Sequence, residues 1–169
     1  MPHVLISNKK CTGCHMCELA CSAYHEGAYR PSVTRLYADC NPTSGVIKGH
    51  TCLQSGCAKC QEACPSDAIV TKEITIKVTG DFAGKEKLSD TVKGYVLVVD
   101  EDLCSNCGEC YEVCPTNVIH EHPDRQVAFK CDLCDGDPQC ISFCQNPYVL
   151  AVDLKMDKKD RELSPAAQV

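Results

Sequence analysis

The chain has few of the features that mark membrane, nucleic-acid-binding or nucleotide-dependent proteins. No apolar run approaches the ~18 residues of a membrane-spanning helix, so we expect no membrane insertion. Acidic residues outnumber basic ones by 23 to 17, which disfavours nucleic-acid binding, because phosphate contacts need a basic face. Tryptophan is absent and aromatic residues make up 5%, so we expect a thin apolar core. With no Ser/His/Asp arrangement and no Gly-rich nucleotide motif, we expect no catalytic residue in this chain.

Cysteine, by contrast, is abundant, and sixteen of the seventeen cysteines fall into four runs of four. The runs are Cys11, Cys14, Cys17 and Cys21; Cys52, Cys57, Cys60 and Cys64; Cys104, Cys107, Cys110 and Cys114; and Cys131, Cys134, Cys140 and Cys144. The first and third runs follow C-x2-C-x2-C-x3-C. In bacterial ferredoxins this pattern holds a 4Fe–4S cluster with three thiolates and sends the fourth to a neighbouring cluster. Four runs therefore predict four 4Fe–4S clusters bound by sixteen cysteines.

The spacing within the runs has a physical reason. Three close cysteines can surround one face of a cluster only if a tight loop turns their thiolates inward. The three-residue gap before the fourth cysteine fits one turn of a following helix, which directs that sulfur away from the first three. Proline follows Cys64 and Cys114, with similar residues after it, so the second and third runs look like internal copies.

Three other interpretations of the cysteines fit less well. A secreted disulfide scaffold does not need this repeated spacing, and the N-terminal residues lack the apolar stretch of a signal peptide, which favours the cytoplasm. Zinc modules separate two cysteine pairs by a longer loop. The sequence CTGCH at Cys11–His15 matches a haem attachment motif, but it lies inside a complete four-cysteine run.

Two runs depart from the regular pattern. Five residues separate Cys134 from Cys140, and they include the turn formers Asp135, Gly136 and Pro138. We interpret this gap as a surface excursion that leaves ligation intact, although a 3Fe–4S cluster at the fourth run stays open. The second run has two extra residues before Cys57.

Residues outside the runs give weaker signals. We expect Cys40 to be a packed or partly exposed free thiol, and Tyr111 to pack against cluster sulfur. His25 and Glu26 could orient a cluster, contact a partner, or form a solvated helix end.

Hydrophobic patterning predicts short elements around the runs. They are a strand at Val4–Ser7, a helix at Cys17–Tyr24, a polar connection at 25–51, and strands at Ile74–Val78 and Tyr95–Val99 that flank a charged insertion.

Bound clusters would change the charge of the protein. Each oxidised cluster with four thiolates carries about −2, so four add roughly eight negative charges to the formal −6. We therefore expect partners with basic patches. Because metal binding is coupled to folding in proteins with thin cores, we expect the apoprotein to be largely unfolded.

Four such runs in one short chain resemble the four-cluster ferredoxin-like subunits of multi-subunit redox enzymes. The resemblance implies nested ligation, in which the first run pairs with the fourth and the second with the third. The implied ligand sets are Cys11, Cys14, Cys17 with Cys144; Cys131, Cys134, Cys140 with Cys21; Cys52, Cys57, Cys60 with Cys114; and Cys104, Cys107, Cys110 with Cys64.

The same resemblance implies an α+β fold with two ferredoxin-like lobes. One lobe would comprise residues 1–51 and 120–154, and the other residues 52–119 with an insertion at 79–93. Residues 155–169 would form a tail that docks on another subunit.

The stretch from Cys11 to Leu36 is most similar to the small iron–sulfur subunit of tungsten aldehyde oxidoreductases and related tungsten benzoyl-CoA reductases. The discriminating residues are Glu18, Ser22, His25, Glu26, Gly27, Pro31 and Arg35. This resemblance implies electron relay between a tungstopterin subunit and a flavin subunit or soluble carrier, with end-to-end self-association possible at exposed ends. Alternatives are the electron-transfer subunit of a hydrogenase, formate dehydrogenase or carbon monoxide dehydrogenase, or a zinc-binding or redox-sensing module.

Overall fold

Short antiparallel pairs of strands form the framework of the protein. The computed structural model describes residues 2–54, 57–77, 91–146 and 148–153. Eight strands form four two-stranded sheets in these ranges. The pairs are β1 (His3–Ile6) with β8 (Leu150–Asp153), β2 (Tyr37–Cys40) with β3 (Ile47–His50), β4 (Ile69–Lys77) with β5 (Thr91–Val99), and β6 (His120–Glu121) with β7 (Ala128–Phe129). The mixed α+β class is confirmed, whereas the division into two lobes stays a prediction.

The four α-helices in the described ranges begin at the same point of the four cysteine runs. They are α1 (Met16–Glu26), α2 (Lys59–Glu62), α3 (Glu109–Glu112) and α4 (Gln139–Ser142). In each helix the third cysteine of the run is the second residue. The last three helices have a single turn and end before the fourth cysteine, as the three-residue gap predicted. Among the described residues, no helix is both long and apolar enough to cross a membrane.

Buried apolar residues form two groups, and each group includes cysteines. One group packs Ile76, Val96 and Leu150 against cysteines of the first and fourth runs. The other packs Ile69 and Ile119 against cysteines of the second and third runs. In both groups the cysteines occupy positions that aliphatic side chains fill in an ordinary core.

Two expectations from the sequence need correction. Residues 25–51 are not simply a connection, because they contain the β2–β3 hairpin. The gap between Cys134 and Cys140 is a surface excursion only in part, since Asp135 is exposed but Gly136 is not. Gly136 is buried against β4, where a Cβ atom would stand 2.0 Å from the carbonyl oxygen of Thr75. The predicted tail and most of the predicted insertion lie outside the described residues.

Candidate iron–sulfur sites

The cysteine loops curl through left-handed backbone conformations at repeated positions. Residues directly before the second cysteine have positive φ in three runs: Gly13, Asn106 and Leu133. Residues two places before the third cysteine also do so in three runs: His15, Ala58 and Gly108. A non-glycine residue in this region costs about 1–2 kcal/mol. Such conformations persist only where the surrounding structure holds them, and they concentrate at functional sites.

Four cysteines of the second and third runs line one pocket. They are Cys64, Cys104, Cys107 and Cys110. Backbone N–H groups point at two of the sulfurs, since Ala68 donates to Cys64 Sγ and Ala128 donates to Cys104 Sγ, each at 3.3 Å. These donors would favour the thiolate form that a metal requires.

The remaining four cysteines of these two runs line a second pocket. They are Cys52, Cys57, Cys60 and Cys114. The backbone N–H of Gln54 donates to Cys52 Sγ at 3.4 Å. Pro115 and Ile119 complete the wall. The fourth cysteine of each run thus lies in the pocket of the other run.

The fourth run gathers its thiols around a cysteine of the first run. Burial raises the pKa of Cys140 well above its ordinary value, and the nearby thiols of Cys131, Cys134 and Cys21 raise it further. Arg35 donates its backbone N–H to Cys21 Sγ at 3.4 Å.

The first run lies beside the end of the fourth. Burial raises the pKa of Cys17 to about 12, with further contributions from Glu18 and from the thiols of Cys11 and Cys14. Cys144 packs against the same apolar group as Cys11 and Cys17. Two residues later, Asn146 donates to the backbone carbonyl of Lys10 at 3.4 Å.

These arrangements fit iron–sulfur clusters. Crowded buried thiols resist ionisation on their own, whereas a bound metal replaces their protons. Thiolates are the ligands that iron–sulfur clusters select, and the curled loops and the N–H donors to sulfur are the surroundings they need.

The four groups of cysteines form a row in the sense that thiols of each group neighbour thiols of the next. Burial is the main cause of the raised pKa of Cys140, in the fourth run. The thiol of Cys17, in the first run, is close enough to raise this pKa further. Burial is the main cause that raises the pKa of Cys131, in the fourth run, to about 12, and the nearby thiol of Cys52, in the second run, contributes to the same rise. Burial is also the main cause that raises the pKa of Cys110, in the third run, to about 12, and the thiol of Cys60, in the second run, contributes to this rise.

We name the groups by their order in this row. The first outer set is Cys11, Cys14, Cys17 and Cys144; the first inner set is Cys131, Cys134, Cys140 and Cys21; the second inner set is Cys52, Cys57, Cys60 and Cys114; and the second outer set is Cys104, Cys107, Cys110 and Cys64. Each outer set has one exposed thiol, Cys14 or Cys107, and neither inner set has one. The row therefore reaches solvent at both ends.

His25 and Glu26 have different surroundings at the end of α1. His25 Nε2 lies 3.7 Å from Cys134 Sγ and 3.4 Å from Asp132, and its side chain is 7% exposed. Burial lowers the pKa of His25 to about 4, so a neutral imidazole faces the first inner set. Glu26 accepts two hydrogen bonds from Arg125 and lies 3.3 Å from His122. Neither side chain belongs to a solvated helix end.

Two other residues singled out in the sequence lie as expected. Cys40, at the end of β2, is an exposed thiol outside the four sets. Tyr111 is partly buried against the apolar group that includes Cys110, and its hydroxyl donates to Asn106.

Sequence reasoning missed two buried polar residues between the inner sets. Gln54 and Lys130 are each 2% exposed and hydrogen-bond to each other across 76 residues. A single Gln and a single Lys carry no local motif, so only the fold reveals the pair.

Two family models of 4Fe–4S proteins match parts of this chain. Residues 51–118 match a family model described as a 4Fe-4S dicluster domain, and residues 8–24 match one described as a 4Fe-4S binding domain. The polyferredoxin-like subunit of aliphatic sulfonate oxidoreductase from Pyrococcus furiosus is 33% identical over 142 residues, covering 83% of this chain and 70% of that protein.

Two further matches are more distant. The B subunit of anaerobic dimethyl sulfoxide reductase from Escherichia coli is 29% identical over 160 residues, covering 82% of this chain and 67% of that protein. Among solved structures, the active site complex BamBC of benzoyl coenzyme A reductase matches at 22% identity. That match has a TM-score of 0.47 and covers 96% of this chain and 86% of that chain.

Proposed function

This chain belongs to the 4Fe–4S ferredoxin-like polyferredoxin subunits of oxidoreductase complexes, and we propose that it relays electrons through four 4Fe–4S clusters. The observation that carries the proposal is the row of four cysteine sets with one exposed thiol at each end. A 4Fe–4S cluster bound there would accept and return single electrons. Because four thiolates leave no open coordination position for a substrate, the chain itself would not be catalytic.

The proposed ligands are the two outer and two inner sets, one cluster to each. The pockets that hold the second inner and second outer sets support this assignment for the middle runs. For the first inner set, the burial of Gly136 and Pro138 between Cys134 and Cys140 supports a complete four-cysteine site. We therefore propose a 4Fe–4S cluster there and not a 3Fe–4S cluster.

A row that reaches solvent at both ends suits two partners. We propose a tungstopterin aldehyde-oxidising subunit at one end and a flavin subunit or soluble carrier at the other, in a cytoplasmic complex. The stretch from Cys11 to Leu36 supports the tungsten assignment through its resemblance. The alternative is that the two exposed ends of the row bind other copies of this chain, so that the protein self-associates.

A second candidate keeps the same relay but changes the catalytic partner. The aliphatic sulfonate oxidoreductase and dimethyl sulfoxide reductase relatives favour an oxidoreductase partner with another substrate. A hydrogenase, formate dehydrogenase or carbon monoxide dehydrogenase partner is distinguished by the metal of the subunit that co-purifies, and a benzoyl-CoA reductase partner, which also holds tungsten, by the substrate that the purified complex reduces.

Metal analysis after anaerobic purification from the native host tests the proposal. We expect about sixteen irons and about sixteen acid-labile sulfides per chain, with tungsten in a larger partner. Nickel or molybdenum in the partner would favour the second candidate. Zinc without sulfide would refute the relay and support a structural module.

A pair of cysteine variants tests the ligand assignment. Cys110→Ser removes a proposed ligand of the second outer set, so we expect the loss of about four irons. Cys40→Ser removes the exposed thiol outside the sets and should leave the iron content unchanged. Equal iron contents in the two variants would contradict the assignment.

A further inference from the structure

Lys130 places a positive charge in the interior of the protein. Its side chain is buried, with 2% exposure. The Nζ atom donates to Gln54 Oε1 at 3.2 Å, to the carbonyl of Leu97, and to the carbonyl of Cys131 at 3.4 Å. Three acceptors match the three N–H donors of an ammonium group, whereas a neutral amine would turn its lone pair towards one of them. The surroundings of Lys130 therefore indicate the charged form.

This ammonium has no anionic partner in the described part of the chain. All three acceptors are neutral amide oxygens, and no described carboxylate lies within 4.0 Å of Nζ. Lys72, Lys77 and Arg35 differ, since each pairs with an aspartate. Burying an unpaired charge is costly, so the position of Lys130 requires a negative group that the described residues do not supply.

The ammonium lies at the junction of the two inner sets. Lys130 directly precedes Cys131 of the first inner set. Its partner Gln54 donates a backbone N–H to Cys52 of the second inner set, and its side-chain amide to the carbonyl of Cys131. Burial raises the pKa of Cys60 to about 11, and Lys130 is the largest influence in the opposite direction. Both inner sets therefore lie within electrostatic reach of this one cation.

We propose that Lys130 is the counter-cation of the two inner clusters and raises the reduction potential of both. The proposal rests on the relay function proposed above. An oxidised cluster with four thiolates carries about −2 and its one-electron reduced form about −3, so a nearby positive charge stabilises the reduced form more strongly. The inner clusters are the two that have no exposed thiol, and without the cation their low-dielectric surroundings would disfavour reduction. Lys130 thereby makes it easier for an electron to occupy the middle of the row.

Gln54 has a positioning role in the same arrangement. Its Oε1 accepts from both the Leu97 N–H and the ammonium. This amide fixes the cation at the junction without neutralising it. A carboxylate of the same shape at position 54 would neutralise the charge and leave the lysine in place.

Redox titration of purified, reconstituted protein by electron paramagnetic resonance tests the proposal. We expect Lys130→Met to lower the midpoint potentials of two of the four clusters. The expected change is roughly tenfold in the reduction equilibrium, about 59 mV for a one-electron couple. Lys130→Arg keeps the charge and should restore most of the shift. Lys77→Met removes the same charge from an exposed ion pair and should leave all four potentials in place.

Iron and sulfide counts separate this proposal from the relay function. A wild-type protein without about sixteen irons would contradict the relay itself. A fully loaded Lys130→Met protein with four unchanged potentials would overturn the role of Lys130 alone, as would an equal shift in Lys77→Met. If Lys130→Met does not bind its clusters, Gln54→Glu is the variant that tests the proposal. The proposal requires Gln54→Glu to lower the same two midpoint potentials. Unchanged potentials in Gln54→Glu would refute the proposal.

Discussion

Replacing Gly136 by alanine should displace the segment between Cys134 and Cys140. Gly136 has φ of +104°, and its added Cβ would stand 2.0 Å from the carbonyl oxygen of Thr75. That oxygen belongs to the backbone of β4, so it cannot swing aside as a flexible side chain could. Forcing atoms into such a packed contact costs about 1–3 kcal/mol. The left-handed conformation adds about 1–2 kcal/mol for a residue with a side chain.

Gly45→Ala is a matched control for this variant. Gly45 also has positive φ, at +66°, but no atom lies within 4 Å of its added Cβ. The control therefore has the conformational cost without the collision. For a protein of this size, the collision alone should lower the melting temperature by roughly 2–12 °C relative to the control.

Thermal unfolding followed by circular dichroism, together with an iron count, measures both effects. Because Gly136 lies between two cysteines of the first inner set, we expect Gly136→Ala to lose up to about a quarter of the bound iron. Equal melting temperatures and equal iron contents in the two alanine variants would refute the packing of this segment against β4.

Two further predictions concern cluster removal and an ion pair. Chelation of the iron should unfold the protein, because cysteines occupy part of both apolar groups; a cooperative melt of the apoprotein would contradict this. Glu26→Gln should lower the free energy of unfolding at pH 7 by about 1 kcal/mol, since the Arg125 partner is partly exposed. Burial opposes the charge of Glu26, but hydrogen bonds from Arg125 and attraction to His122 outweigh it and lower the pKa of Glu26. The contribution is therefore present above about pH 4.5 and is lost as the pH falls through the lowered pKa. Glu112→Gln, which removes an exposed carboxylate, is the control, and equal denaturation midpoints for the two variants would refute the role of Glu26.

Cysteine spacing predicted the helical turn between the third and fourth cysteines of the runs, because this spacing is a local signal. Each helix begins one residue before the third cysteine, and the fourth cysteine comes one turn later. The strands predicted at Ile74–Val78 and Tyr95–Val99 correspond to β4 and β5, but both begin earlier in the chain than the apolar pattern indicates. Lys72 and Glu73 interrupt the alternation, yet their backbones pair with Val96 and Tyr95. Sheet pairing depends on backbone hydrogen bonds, which polar residues can also make.

Contacts between residues far apart in the chain could not be predicted from the sequence. The β2–β3 hairpin has strands of four residues with few apolar side chains, so its pattern is weak. Its turn did carry a signal, since the Asn41 side chain accepts from the N–H groups of Thr43 and Ser44. The packing of Gly136 against Thr75 and the pairing of Lys130 with Gln54 depend on tertiary structure and leave no local pattern.

The pairing of β1 with β8 has a consequence for how the chain matures on the ribosome. Residues His3–Ile6 pair with Leu150–Asp153, so β1 finds its partner only after residue 153 has been translated. At typical elongation rates the N-terminal segment waits on the order of ten seconds. The second and third runs emerge together well before this and can complete their shared pockets first. The delivery of iron and sulfide to the nascent chain would then proceed from the second and third runs outwards, and β1 would need protection from aggregation until β8 appears.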